Sequence, residues 1–200
     1  MNIFVTDVEP RQCAIEHNDV HLRKMIIETA QLLSTAHVVL DDNVVAYKKT
    51  HQNHPCAIWV RQSKENYAWT RHLLFELSKE YTYRSDRFHR TSRYIDNLDK
   101  IPSTLMFMSD YVSNEYPTQE DISKHFHEKS FVCAMPEKYI TNNCFESYQE
   151  YLSIKYENWK HRWAYDKKSD SYKFKPIKVE WTKRNTPEWY FNEPVVLEYS

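Results

Sequence analysis

Four side chains capable of acid–base or nucleophilic chemistry recur at helical spacing near the start of the chain. They are His17, His21, Lys24 and Glu28, at positions i, i+4, i+7 and i+11. On a helix this spacing places all four on one face. Two imidazoles, an amine and a carboxylate in one row could transfer protons, and a lysine near other cations could act as a nucleophile. The alternative is a solvated face that holds a Lys24–Glu28 ion pair.

A second pair of histidines precedes the next predicted helix. His51 and His54 lie three residues apart, directly before Pro55. Together with His17 and His21 they provide four imidazoles, which could bind zinc or iron if the fold brings them together. The alternative is that His54 helps to cap the helix and that His51 packs in the loop. We therefore expect no metal cofactor, with a zinc or iron site as the alternative hypothesis.

Basic residues cluster in two stretches that could contact DNA. Arginines recur at every third position from Arg84 to Arg93, and the stretch from Trp159 to Arg184 mixes lysines with aromatic residues. Positive charge binds phosphates, and flat rings stack on unpaired bases. The predicted nucleic-acid-binding residues are Arg23, His51, His54, Arg84, Arg87, Arg90, Arg93, Lys160, Arg162, Lys183 and Arg184. The alternative is a solvated surface whose aromatic residues belong to the core.

Hydrophobic periodicity predicts the helices that must position these side chains. Apolar residues spaced by three or four predict a first helix over about 11–37. A long helix is predicted to begin at about Asn53 and to end at about Tyr83, because proline is tolerated in the first turn. Shorter helical segments are predicted at 84–100, 104–112, 118–126 and 144–163.

The rest of the pattern predicts the fold class. Residues 1–8 are expected to form a brief strand or a docked arm, and alternation predicts strands at 172–175 and 177–181. We predict a mainly α fold, a single compact domain of about five to seven helices. A few short strands are expected at the N-terminus and in the C-terminal third. Residues 1–100 would form the candidate catalytic part, and 101–200 an aromatic and basic part with an extended tail.

The composition excludes several common active sites, because the chain contains no glycine. Without glycine there is no phosphate-binding P-loop, no GxGxxG dinucleotide motif, no kinase glycine-rich loop and no GxSxG nucleophile elbow. Each of these motifs needs backbone conformations that a Cβ atom resists. Helix C-caps must then come from Asn or from irregular turns, and tight two-residue hairpins should be few.

Charge and cysteine content indicate the compartment. The 27 Lys and Arg balance 28 Asp and Glu, so the net charge of −1 neither supports nor excludes nucleic acid. The four cysteines show no CxxC or zinc-finger spacing. The first residues do not have the basic start and apolar run of a signal peptide, and no apolar stretch is long enough for a membrane helix. We therefore expect a cytoplasmic protein with reduced thiols and no membrane partner.

Three sequence blocks carry a resemblance to a known family: HNDVHLRKMIIETAQLLSTAH, YKKTHQNHPCAIWVRQSKENYAW and EYTYR. They resemble a family of bacteriophage proteins, most of them uncharacterised, over about residues 1–93 and again at 181–189. More distantly, the order of features is similar to that of pyrimidine-dimer DNA glycosylases of the phage endonuclease V type. The resemblance implies a small helical DNA-repair enzyme in the host cytoplasm. His17 and Arg23 match that family's helix, and Lys24 lies where the family keeps its catalytic glutamate.

This resemblance, together with the residues present, implies a reaction. The family's nucleophile is the amine of an N-terminal residue exposed by removal of the initiator Met, whereas Asn2 is bulky enough to leave Met1 in place. We therefore expect Lys24 to attack C1′ of an abasic sugar and form a Schiff base. His21 or Glu28 would take the C2′ proton, and the 3′ phosphate would leave by β-elimination. A host or phage DNA glycosylase would supply the abasic site.

Two other hypotheses remain open at this point. One is a metal-dependent nuclease or base-modifying enzyme that uses the four histidines. The other is a non-enzymatic protein that binds DNA or a host repair protein.

Overall fold

The computed structural model describes residues 1–107, 124 and 126–190. Within these residues the fold is mainly α, as predicted. Its α-helices are α1 (Pro10–Glu16), α2 (Asp19–Asp41), α3 (Pro55–Val60), α4 (Lys64–Ser85) and α5 (Cys144–Lys160). Short 3-10 turns occupy Arg90–Tyr94, Asp96–Leu98 and Glu137–Tyr139. Two strands, β1 (Trp163–Asp166) and β2 (Ser171–Phe174), pair as an antiparallel hairpin.

The first predicted helix is in fact two helices. His17 follows α1 with an extended backbone (ψ 131°), and Asn18 begins α2 as its N-cap. The Asn18 side-chain oxygen accepts a hydrogen bond from the backbone N–H of His21 at 2.8 Å, which satisfies one of the free donors of the helix start. Downstream of this break the predicted stripe is confirmed, because Leu22 and Ile26 are fully buried.

The second predicted helix also divides. It is interrupted after Val60, and Ser63 begins α4 by accepting a hydrogen bond from the N–H of Asn66 at 3.1 Å. His54 caps α3, since its Nδ1 accepts from the N–H of Cys56 at 3.2 Å. Serine and other short polar side chains favour this position because they replace the missing intrahelical partners.

The shorter predicted segments have mixed outcomes. The 84–100 region contains the end of α4 and two 3-10 turns, and 144–163 corresponds to α5. Residues 104–107 are not helical, while 108–112 and almost all of 118–126 lie outside the described residues.

The N-terminal segment is a docked arm and not a strand. Ile3, Phe4 and Val5 are buried against the helices without strand pairing. The strand predicted at 177–181 is also wrong, because this stretch is irregular. The second strand of the hairpin overlaps the strand predicted at 172–175.

Aspartate takes the backbone positions that glycine commonly fills. Asp42 (φ 51°) and Asp86 (φ 55°) end α2 and α4 in the left-handed conformation. Asp170 (φ 47°) adopts the same conformation before β2. The short polar side chain of aspartate tolerates this region better than most residues do. Within the described ranges no helix is sufficiently long and apolar to cross a membrane.

A buried guanidinium connects α1, α2 and α4. Arg84 is only 3% exposed at its side chain, and its Nε donates to Glu80 at 2.7 Å. Its Nη1 donates to the carboxylate of Asp19 at 2.9 Å and to the carbonyl of His17 at 2.8 Å. Its Nη2 donates to the carbonyl of Ile15 at 2.7 Å. Arg84 therefore braces the break between α1 and α2 from inside the fold.

The C-terminal segment completes this network. Arg184 donates to both oxygens of Glu80 at 2.9 and 2.7 Å. Burial by itself raises the pKa of Glu80, but the hydrogen bonds from Arg184 and Arg84 hold it below its usual value. Trp181 donates from its indole N–H to the carbonyl of Glu16 at 2.8 Å. The segment is thus attached to the end of α1 by both charge and hydrogen bonding.

We expect Arg84→Met to destabilise the protein by about 3–5 kcal/mol, because it removes one of the two partners of the buried Glu80 carboxylate and the donor to the carbonyls of Ile15 and His17. The matched control is Arg87→Met, which removes an exposed arginine and should change stability by less than about 0.5 kcal/mol. Urea unfolding followed by circular dichroism measures both. Equal stability of the two variants would show that the network contributes nothing.

Candidate active site

The Glu28 carboxylate on α2 is the centre of a cluster of amines. Its Oε1 lies 3.2 Å from Nζ of Lys24, and its Oε2 lies 3.8 Å from the α-amino nitrogen of Met1. The backbone N–H of Asn2 donates to the same Oε2 at 2.8 Å. The side chain of Glu28 is 13% exposed, whereas that of Lys24 is 62% exposed. The structure therefore contains the Lys24–Glu28 ion pair of the solvated-face alternative and adds a second amine beside it.

The side chain of Asn2 fixes the position of the N-terminal arm. Its Oδ1 accepts hydrogen bonds from the backbone N–H of Ile3 at 2.8 Å and from the hydroxyl of Tyr148 at 3.0 Å. Its Nδ2 donates to the carbonyl of Ala134 at 2.7 Å. The side chain of Met1 is itself only 3% exposed. These contacts hold the start of the chain against Glu28.

A third amine, that of Lys155 on α5, was missed by the sequence analysis. Its Nζ lies 5.2 Å from the ring centroids of Phe4 and Tyr151, and 5.9 Å from that of Trp159. Three rings around one ammonium provide cation–π attraction in place of part of its hydration. The α5 members Tyr151, Lys155 and Trp159 are four residues apart, a spacing visible in the sequence.

The environment of Lys155 favours loss of its proton. Burial lowers the pKa of Lys155, the positive charge of Lys24 lowers it further, and the carboxylate of Glu28 partly opposes both. Desolvation beside another cation is a recognised way to make a lysine more nucleophilic. The Glu28 site thus combines one carboxylate with three amines, those of Met1, Lys24 and Lys155.

His21 lies beneath this cluster and not beside it. The residue is 1% exposed, and its Nδ1 is 2.8 Å from the hydroxyl of Tyr156. Its ring packs against Phe4 and Trp159, both at 4.7 Å between centroids. Burial lowers the pKa of His21 well below its usual value. His21 therefore supports two of the rings that surround Lys155.

His17 does not belong to the predicted row of four. Because the helix breaks at this residue, His17 is buried at the end of α1, with its Nδ1 2.5 Å from the carbonyl of Cys13. Its ring centroid is 6.4 Å from that of His21, with Phe4 alongside. Burial lowers the pKa of His17 to about 4. The structure places it in the core, away from the exposed amine of Lys24.

The four histidines do not form one metal site. His51 is exposed, with its Nδ1 2.6 Å from the hydroxyl of Thr50, and His54 caps α3. His17 and His21 instead lie in the core. Over 1–107, 124 and 126–190, no three His, Cys, Asp or Glu side chains are arranged to hold a metal ion. Among the described residues, the structure therefore does not bring together the four histidines of the zinc or iron alternative.

Some of the predicted DNA-contacting arginines share one corner of the surface. Arg87 and Arg90 are exposed on either side of Phe88, which is itself 87% exposed. Arg23 on α2 lies close enough to His89 that its charge, after burial, lowers the pKa of that imidazole. We call Arg23, Arg87, Phe88 and Arg90 the basic corner. It adjoins α2 one residue from Lys24.

Other predicted contacts are engaged within the protein. Arg84 is buried, so its guanidinium does not face the surface. The remaining pairs are Lys160 with Glu157, Lys183 with Asp86, Arg184 with Glu80, and Arg93 with the ring of Tyr94. Arg162 is exposed at the start of the hairpin.

Two cavities lie away from the amine cluster. One, of about 680 Å³, lies between α1 and residues 184–189. An apolar one of about 490 Å³ is lined by Phe75, Tyr83 and Phe88. The Glu28 site itself is open to solvent at Lys24, whose side chain is 62% exposed.

Comparisons with protein-family models, with curated proteins and with solved structures found no match. The resemblance to phage proteins and to pyrimidine-dimer glycosylases therefore stays a prediction from the sequence blocks.

The core position of His17 predicts a pH-dependent stability. His17 stays neutral in the folded protein down to about pH 4, but it binds a proton below about pH 6.5 when unfolded. The free energy of unfolding should therefore decrease as the pH is lowered from about 6.5 to about 4, by about 1.4 kcal/mol per pH unit for this group. His17→Gln should have a shallower slope in urea unfolding, whereas the exposed control His51→Gln should match the wild type. Parallel slopes for wild type and His17→Gln would contradict the assignment.

Proposed function

We propose that this protein cleaves DNA at abasic sites by Schiff-base β-elimination, as DNA glycosylase/AP lyases do. The observation that carries the proposal is the contact of the Glu28 carboxylate with Lys24 at 3.2 Å and with the α-amine of Met1 at 3.8 Å. Schiff-base elimination needs an amine and a base within reach of two adjacent carbons. A carboxylate that touches two amines meets this requirement.

The reaction proceeds in balanced steps on the open-chain sugar. The Lys24 amine gives a proton to Glu28 and attacks the C1′ aldehyde. Glu28 returns this proton to the carbinolamine oxygen, which leaves as water to give an iminium, and Glu28 is again a carboxylate. Glu28 then takes the C2′ proton, the electron pair forms the C2′–C3′ double bond, and the C3′–O bond to phosphate breaks. Water hydrolyses the imine and releases the enzyme.

The exposure of the site suits this substrate. Lys24 is 62% exposed, so a sugar on a DNA backbone can reach its amine without a conformational change. An abasic nucleotide has no base to enclose and leaves the stack at low energetic cost. A site that is open at Lys24 is consistent with such a substrate. A host or phage DNA glycosylase would then generate the abasic site.

The basic corner supplies charge for the flanking phosphates. Arg23 precedes Lys24 in the sequence and lies close enough to His89 for its charge to act on that imidazole, and the nearby sequence positions Arg87 and Arg90 are exposed. Arginine binds phosphate in a bidentate manner and positions a duplex without reading sequence. Phe88 between these arginines offers one exposed ring to the DNA.

The decisive test is borohydride trapping of the purified protein on DNA that carries one abasic site, with chelator present. We expect a covalent adduct that Lys24→Ala loses. The matched control is Lys79→Ala, because Lys79 is also exposed and also pairs with a glutamate, Glu76, at 2.9 Å. Lys79→Ala should trap like the wild type. Absence of any adduct with the wild-type protein would contradict the proposal.

Peptide mapping of the adduct identifies the nucleophile. We expect the sugar to be attached at Lys24. Attachment at Met1 or Lys155 would instead make that amine the nucleophile of the same Schiff-base reaction. Glu28→Gln should lower the strand-cleavage rate by about 100-fold or more, because it removes the base that takes the C2′ proton. A Glu28→Gln rate equal to that of the wild type would exclude Glu28 as the base.

A further inference from the structure

The β1–β2 hairpin projects from the helices as a solvated ribbon. Every residue from 161 to 176 is exposed or half-buried. Two backbone hydrogen bonds close its base, from the N–H of Ile177 to the carbonyl of Trp159 at 2.8 Å and from Lys175 to Arg162 at 2.9 Å. A two-stranded hairpin by itself is marginally stable in water. Side-chain contacts along the ribbon must therefore contribute to its stability.

One face of this ribbon carries four aromatic rings. Cross-strand partners Trp163 and Phe174 pack at 5.6 Å between ring centroids, and so do Tyr165 and Tyr172. Positions two residues apart on a strand share a face, so the two pairs are contiguous. The rings are nevertheless 62%, 51%, 48% and 70% exposed in that order. The face is thus a continuous aromatic surface that the described part of the chain leaves open to solvent.

The ribbon is also strongly basic in a chain whose net charge is −1. Residues 161–178 contain six Lys and Arg against two Asp, so with His161 neutral their net charge is +4. The Asp166 carboxylate is shared by Lys173 at 2.7 Å and Lys175 at 3.9 Å, which leaves cations in excess. This charge complements a polyanion.

The ribbon begins next to the Glu28 site. Trp159 contributes its ring to the surroundings of Lys155 and its carbonyl to the base of the hairpin. Lys155 and Trp159 are one helical turn apart on α5, about 6 Å along the axis. A strand whose sugar reaches the amines therefore has its neighbouring nucleotides near the base of the hairpin that carries the aromatic face.

We propose that the aromatic face of the hairpin binds single-stranded DNA next to the abasic site, with unpaired bases stacked on Trp163 and Tyr172. This inference rests on the proposed function for the abasic site itself. Charge complementarity selects a nucleic acid, and the open rings select unpaired bases, because paired bases present their faces to each other. The substrate class is an abasic site in single-stranded or locally unpaired DNA.

The test compares a ring-removing variant with a ring-preserving one. Trp163→Ser/Tyr172→Ser removes two rings, and Trp163→Phe/Tyr172→Phe keeps two flat faces at the same positions. Fluorescence anisotropy measures the affinity of each for an abasic single strand and for the matching abasic duplex. The ring-removing variant should lose about 10-fold or more in affinity for the single strand. The ring-preserving variant should stay within about threefold of the wild type.

A second measurement detects stacking on the wild-type protein. A 2-aminopurine placed beside the abasic site should lose fluorescence when the wild-type protein binds, and the ring-removing variant should lack this quenching. Circular dichroism and sedimentation of both variants report folding and self-association.

The outcomes separate this inference from the proposed function. Three outcomes would overturn the stacking proposal. The ring-removing variant could lose affinity equally for single strand and duplex, it could lose affinity for neither, or it could be monomeric where the wild type is a dimer. Normal borohydride trapping with unchanged single-strand affinity would overturn the inference alone. Ring-dependent binding of single strands without any trapped adduct would support the stacking face and reject the lyase.

Discussion

The position of the Glu28 site depends on one buried guanidinium. Arg84 binds the backbone at the break between α1 and α2 and also binds Asp19 in the first turn of α2. A buried charge is expensive to desolvate, and only complete pairing makes it tolerable. Glu80 and Asp19 supply that pairing, and Arg184 pairs in turn with Glu80. The network therefore sets where α2 begins, and hence which residues of α2 face the N-terminal arm.

The arm then brings atoms that are distant in sequence to one carboxylate. Asn2 uses both its amide oxygen and its amide nitrogen to attach the chain start to α5 and to the segment before it. This leaves the backbone N–H of Asn2 and the α-amine of Met1 directed at Glu28. Asp42 and Asp86 end α2 and α4 in left-handed conformations, so a chain without glycine still forms the sharp turns that follow these helices.

Features that depend on residues close together in the sequence were predicted correctly. Features that depend on contacts between residues far apart in the sequence were not. The apolar stripe through Leu22 and Ile26, and the Lys24–Glu28 contact, follow from helical periodicity alone. His17 was misplaced because the helix break beside it depends on the Asn18 cap and on Arg84. The burial of Arg84 is not visible in a sequence where arginines recur at every third position. Lys155 was missed because its ring surroundings combine α5 with Phe4 of the arm.

The rigidity of α5 relates the two proposed surfaces. Tyr156 and Leu152 anchor this helix in the core, so Lys155 and the hairpin that follows Trp159 keep a fixed separation. Lys155 and Trp159, which lies at the base of the hairpin, are about 6 Å apart along the helix axis, a distance of roughly two stacked nucleotides at about 3.4 Å each. Amines that engage one sugar and rings that engage the bases next to it can therefore act on a single strand at once. A fully paired strand would satisfy only the first of these contacts.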